Sequence, residues 1–112
     1  MDNKDMQVLQ KIYERISSVL EYCRDCSSLS DFEEDSMRAD ASVFNLMQIG
    51  ELAKTSLSDD FKANIKTIPW KQIYGMRNRI VHGYDDVDMN IVWDTIKTDL
   101  PELKDEIKKY LQ

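Results

Sequence analysis

Apolar residues recur at intervals of three and four along almost the whole chain, the spacing of helices packed on one side. From Asp5 to Arg24 they fall at Met6, Leu9, Ile12 or Tyr13, Ile16, Val19 or Leu20 and Cys23, with Lys11, Glu14, Arg15 and Glu21 on the other side. A second helix is expected to open at Ser30, where Ser30-x-x-Glu33 fits a capping box and acidic residues meet the positive end of the helix dipole, and to run to Ser56. Its middle, Val43 to Ala53, is apolar on almost every side. A helix of that kind is buried by more than one neighbour. Asn45, Gln48 and Glu51 are its polar exceptions, spaced by three in one narrow stripe. Gly50 weakens that helix by up to ~1 kcal/mol and invites close approach of another element.

Ser58 to Phe61 reads as a cap and a short helical turn. Pro69 suits a first helical position, so a third helix is expected from Pro69 to His82, with Ile73, Met76 and Ile80 inward and Gly83 as its stop. Asp88 caps a fourth helix, in which Val92, Ile96, Leu100, Leu103, Ile107 and Tyr110 or Leu111 keep helical spacing to the end. Pro101 lies inside that pattern and predicts a kink or break near Asp99-Leu100, because proline lacks a donor and clashes with the carbonyl four residues back. Nothing reads as strand or repeat. The expectation is an all-α, up-and-down bundle of four to five helices, with residues 1–112 forming one domain.

Composition narrows the function. No apolar run approaches the ~18–20 residues needed to span a membrane, and the polar start, Met1 to Asp5, has no signal-peptide core behind it; a cytosolic protein is expected, with no membrane partner. The net charge of −6 argues against a general nucleic-acid binder. Its distribution is uneven. Phe61 to Tyr84 holds Lys62, Lys66, Lys71, Arg77 and Arg79 and no acidic residue, so that segment carries +5 and the remainder −11. A local basic patch on an acidic body suits a compact anionic target or, through the acidic part, a basic protein partner. Cys23 and Cys26 are the two cysteines. A structural zinc site needs four ligands, and with His82 the chain offers three soft ones, so no metal site is expected. The i, i+3 spacing fits two half-buried thiols on one helix face, and a redox pair would want a βαβ context.

The candidate chemistry lies in Arg77-Asn78-Arg79-Ile80-Val81-His82-Gly83-Tyr84, which contains the only histidine of 112 residues. Imidazole titrates near neutrality, and guanidinium grips phosphate through paired hydrogen bonds. Together they are a minimum for phosphodiester chemistry: one group holds charge on the phosphate, the other moves a proton. If the helix runs through His82, Arg77 lies about 140° around it from His82, and Asn78 shares the histidine's face. A plainer reading has His82 capping the helix end while the arginines pair with Asp85 and Asp86. Both stay open on the residues alone. Cleaving RNA through its 2′-hydroxyl needs a base and an acid. One imidazole does not readily serve as both, so two copies about a two-fold axis would supply the second; the apolar second helix is a candidate seam.

Arg77-x4-His82-x-Tyr84, with Asn78 directly after the arginine, resembles the R-x4-6-H signature of the HEPN superfamily, and more narrowly the R-x4-H-x-Y form of HepT toxins. The likeness extends over nearly the whole chain: Asn45 to Lys54 resembles the family's second-helix segment, Ile68-Pro69-Trp70 the start of its motif helix, and Ile91-Val92-Trp93 with Asp99-Leu100-Pro101 its kinked tail. The resemblance implies a helical homodimer acting as an endoribonuclease on RNA without a metal or other cofactor. Carried over residue by residue, Arg77 would stabilise charge on the scissile phosphate and His82 would be the acid/base group. Asn78 would orient substrate or histidine. Arg79 is an extra cation to which the resemblance assigns no role; a contact to the RNA substrate and a plain solvent-facing position both stay open. Asn45, Gln48 and Glu51 are read as a structural polar stripe or, otherwise, as support for the cleft or a partner. Tyr84 matches the tyrosine that the partner antitoxin, an MntA-type minimal nucleotidyltransferase, modifies with AMP; the added bulk and negative charge would repel RNA. Two other functions fit the same residues: a non-catalytic nucleotide- or substrate-binding subunit of a nucleotidyltransferase complex, and a helical dimerisation protein in which Arg77 and His82 are silent.

Overall fold

In a computed structural model of the chain, residues 3–81 and 86–111 are described. The first long helix, α1, spans Asn3–Tyr22 and buries Val8, Leu9, Ile12, Ile16 and Val19. Cys23 follows it, buried, with Sγ 3.8 Å from the Ser42 hydroxyl. Burial pushes the Cys23 thiol up from its ordinary range, which makes it a poor nucleophile. Cys26 is partly exposed, and both thiols are free.

The expected second helix is two. Helix α2 spans Leu29–Glu34 and α3 spans Ser36–Thr55. The cap is Ser28, two residues before Ser30: its hydroxyl accepts from the Asp31 amide, while the Asp31 carboxylate accepts from Ser27. The arrangement is a variant of the capping box, because the return bond from Asp31 goes to Ser27 rather than to the cap itself, and in this register Phe32 is buried. Asp35 then breaks the chain. Its backbone is extended, and its carboxylate accepts from the amides of Met37 and Arg38 to start α3. A short acid that bonds its own following backbone competes with the helix and wins there.

Helix α3 is the centre of the fold. It packs against α1, α2, α5 and α6, which accounts for an apolar character with almost no preferred side. Helix α4, Asp59–Asn64, is capped by Ser58 as expected. Helix α5 spans Trp70–Tyr74 and α6 spans Met76–Ile80. The third helix is therefore not continuous: Pro69 is its cap rather than its first residue, Gly75 interrupts it, and it ends at Ile80, short of His82. At Gly50 an added Cβ would lie 3.0 Å from the Ile73 carbonyl oxygen. The missing side chain is what lets the α5 backbone lie directly on α3.

Asp88 caps α7, Met89–Asp94, by accepting from the Ile91 amide. A π-helical turn at Thr95–Asp99 follows, then α8, Leu100–Lys108. The irregularity expected of Pro101 is thus taken up one turn earlier, as one wide turn in an otherwise running helix. Trp93 stacks on Phe32 at 5.5 Å, joining α7 to α2. Trp70 is half-buried, its indole N–H donating to the carbonyls of Lys62 and Ile65. Among the described residues there is no strand, and no helix is long and apolar enough to cross a membrane. The fold is all-α: α1, α3, the bent α5–α6 pair and the α7–α8 rod pack around one connected core.

Two expected outcomes test these contacts. Gly50→Ala gains helix propensity, up to ~1 kcal/mol, but drives a methyl against a backbone oxygen that cannot rotate away. It should lower the melting temperature, whereas Gly75→Ala, with 3.4 Å to its nearest neighbour, should not. The second concerns Asp5, a buried carboxylate that accepts from the Ser58 amide at 2.8 Å and its hydroxyl at 2.7 Å. Those two bonds hold its pKa below the ordinary 3.8. Its contribution is therefore full above that value and is lost as pH falls through the lower folded value. Asp5→Asn should be less stable than wild type by about 1–2 kcal/mol at pH 7, and the gap measured by thermal melts should close toward pH 2.

Candidate functional site

Met76 and Ile80 anchor α6 in the core, which leaves the residues between them, Arg77, Asn78 and Arg79, on the surface. Arg77 makes no side-chain hydrogen bond or ion pair with any described residue. Arg79 points about 200° away around the helix. Its Nη2 donates to the Gln72 carbonyl at 3.2 Å, beside the Gly75 interruption, and it lines a shallow surface with Ile91, Asp94 and Asp99. The two arginines are therefore separate: Arg79 is engaged between α6 and α5, and Arg77 has no side-chain partner among the described residues.

The basic segment thins in the same way. Lys62 donates to the carbonyls of Ala53 and Lys54 at the end of α3 and sits 4.8 Å from the Tyr74 ring. Lys66, Lys71, Arg77 and Arg79 are exposed, and of these Arg79 is engaged with a backbone carbonyl.

Beyond α6 the backbone opens. Val81 is extended, bridges antiparallel to Val87, and the Asp88 amide donates to the Ile80 carbonyl at 2.7 Å. Both ends of the segment between Val81 and Val87 are thus fastened side by side next to Arg77. His82, Gly83, Tyr84 and Asp85 lie outside the described residues. The helical angles expected between Arg77 or Asn78 and His82 do not apply, because α6 has ended before His82 is reached.

Asn45, Gln48 and Glu51 do not share one environment. Steps of three residues fall about 60° short of a full turn, so the stripe winds outward: Asn45 is buried, Gln48 half-buried and Glu51 exposed. Asn45 Nδ2 donates to the Ala41 carbonyl at 2.8 Å, and its Oδ1 accepts from Arg15 Nη1 at 3.0 Å. The Arg15 guanidinium lies 5.7 Å from the ring of Phe44. Sequence reasoning passed over Arg15 and Phe44. The available signal was Asn45 itself, since a polar amide in an apolar run needs a partner, but nothing in the order of residues names one thirty positions away.

The division between the arginines has a direct test. Arg79→Ala removes a bond to a backbone carbonyl and should destabilise the protein by about 1 kcal/mol. Arg77→Ala should leave the thermal midpoint unchanged.

Comparison with known proteins supplies the family. The sequence pattern of the family described as "Ribonuclease HepT-like" matches residues 12–110. The probable ribonuclease HepT of Thermococcus cleftensis is 33% identical over 109 residues, covering 97% of each chain. A candidate RNase of Caldanaerobacter subterraneus subsp. tengcongensis is 39% identical over 85 residues, 76% of this chain and 75% of that one. Another, from Methanocaldococcus jannaschii, is 30% identical over 109 residues, 96% and 98% of the two chains. No solved structure gives a significant match. An all-helical core, a surface arginine at the head of the R-x4-H-x-Y run and this full-length likeness lead to one conclusion: the chain belongs to the HepT-like ribonuclease family of the HEPN superfamily.

Proposed function

We propose that this protein is an endoribonuclease toxin whose active form is a homodimer, with Arg77 and His82 of both copies lining one cleft. The observation that carries the reading is Arg77: an exposed guanidinium, unpaired with any described residue, beside the fastened ends of the segment that bears His82. A structural arginine would be expected to hold a carbonyl or carboxylate, as Arg79 does.

In the proposed reaction the ribose 2′-hydroxyl attacks the adjacent phosphorus and the 5′-oxygen of the next nucleotide leaves. The products are a 2′,3′-cyclic phosphate and a 5′-hydroxyl, so no water or cofactor enters this step. One His82 takes the 2′-hydroxyl proton, and the second, from the other copy, gives a proton to the leaving oxygen. Arg77 holds the charge that builds on the phosphate oxygens. Asn78, adjacent and exposed, orients the substrate. Tyr84 is the regulatory residue: a nucleotidyltransferase of the MntA type attaches AMP there, which places negative charge where a phosphate must bind.

RNA incubated with the pure protein and a chelator should be cut. His82→Ala should reduce the rate by 10²–10⁴-fold, on the order expected of acid–base catalysis, and Arg77→Ala by about 10²-fold or more. Light scattering should give twice the chain mass. Co-expression with a neighbouring reading frame carrying G-S-x10-D-x-D should add whole AMP units to the mass, lost in Tyr84→Phe. Tight nucleotide binding with no cleavage in wild type would instead assign a substrate-binding subunit, and equal cleavage by wild type and His82→Ala would remove the nuclease reading.

A further inference from the structure

We infer that the groove between α1 and α3 is a docking site for single-stranded RNA, with Phe44 stacking on a base and Arg15 and Lys11 meeting the flanking phosphates. The inference rests on the ribonuclease reading and adds a surface remote from Arg77 to it.

The groove is open, about 600 Å³, and its lining includes Lys11, Glu14, Arg15, Tyr22, Phe44 and Asn45. Two of its aromatic side chains face water, Phe44 at 55% exposure and Tyr22 at 43%. Lys11, Arg15 and Tyr22 are spaced by four and seven along α1, so they form one stripe about 16 Å long. Arg15 is not a loose surface cation. The Asn45 amide is oriented by its bond to the Ala41 carbonyl, which turns Oδ1 toward Arg15. A guanidinium has five N–H donors, and among the described residues Asn45 takes one. Arg15 is thereby held against the Phe44 ring with donors left for a phosphate. The carboxylate in the groove, Glu14, accepts from Gln10 one turn back at 3.2 Å.

Cations beside exposed rings are the chemistry of single-strand recognition, in which bases stack on aromatics and the backbone follows positive charge. In a duplex the base faces are covered by their neighbours, so Phe44 would have nothing to stack on. A purely apolar partner surface would leave Lys11 and Arg15 without counter-charge. The groove lies on the α1 flank of α3, whereas α6 and Arg77 follow from α5, which approaches at Gly50, about 140° around α3 from Asn45. A long unpaired RNA would touch both surfaces, and a dinucleotide only one.

The test uses a labelled, unpaired 2′-O-methyl oligoribonucleotide, which lacks the nucleophile and survives incubation. Its affinity is measured by fluorescence anisotropy across a salt series. Phe44→Ala should weaken binding about tenfold, and Phe44→Trp should restore it. Lys11→Gln should lower the slope of log affinity against log salt by about 0.7. On cleavable RNA, Phe44→Ala should raise KM for a long strand and leave dinucleotide cleavage unchanged. Wild-type affinity in Phe44→Ala and Lys11→Gln would overturn the inference while leaving the nuclease reading intact. Absence of both binding and cleavage in wild type would overturn both. A halving of the mass in solution on Phe44→Ala would overturn it too, by showing that a second copy covers the groove.

Discussion

The contact on which this fold turns is the approach of the α5 backbone to α3 at Gly50. A helix packed on several sides needs small residues where its neighbours press closest, and here the neighbour is a carbonyl oxygen rather than a side chain that could move aside. That approach sets the depth of α5, Ile73 fills the space beside it, and α6 is carried along behind Gly75. Met76 and Ile80 then fix the roll of α6. Once those two point inward, Arg77 and Arg79 must leave on opposite sides. The exposure of Arg77 is therefore a consequence of the core packing of Met76 and Ile80 within its own helix.

Interruptions matter as much as helices. An unbroken helix from Pro69 through His82 would carry the histidine around the same axis as the arginine, at a fixed angle. The observed chain instead stops at Ile80, extends at Val81 and is fastened across to Val87. The Val81–Val87 bridge brings both ends of that segment to one place on the helical scaffold, and connecting segments held by rigid elements are where proteins commonly carry functional groups. The π-helical turn at Thr95–Asp99 belongs to the same region: it lets α7 pack against α6 while α8 turns back to α1.

Much of the fold is legible from spacing because a three-and-four pattern has one reading once the chain is long enough. The cores of α1 and of the last rod, and the caps at Ser58 and Asp88, follow from it. What the pattern missed is competition between adjacent polar residues. Ser28 with Asp31 and Ser30 with Glu33 both fit the capping pattern, and the chain uses Ser28, with Phe32 buried in the helix it opens. Asp35 reads as one more acid in a helical run, yet it stops that run because its carboxylate reaches two amides of its own chain. At the candidate site, the R-x4-H-x-Y pattern already set Arg77 apart from Arg79. What residue types could not show is that Arg79 holds the Gln72 carbonyl, because that contact depends on how the chain folds back across Gly75.

An acidic chain that handles RNA poses an electrostatic problem. With a net charge of −6, long-range attraction works against the substrate, and screening at physiological salt confines any favourable field to within about 8 Å of its source. Binding must then come from a few cations placed where phosphates touch, combined with contacts that do not depend on charge. The structure divides its cations in keeping with that demand. Lys62 and Arg79 hold backbone carbonyls, Arg77 is exposed without a side-chain partner among the described residues, and Arg15, half-buried on the α1 flank, lies beside Phe44 with one donor given to Asn45. Stacking is nearly indifferent to salt, so an enzyme built this way would hold unpaired RNA with a shallow salt dependence and would gain little from duplex RNA, whose bases are out of reach.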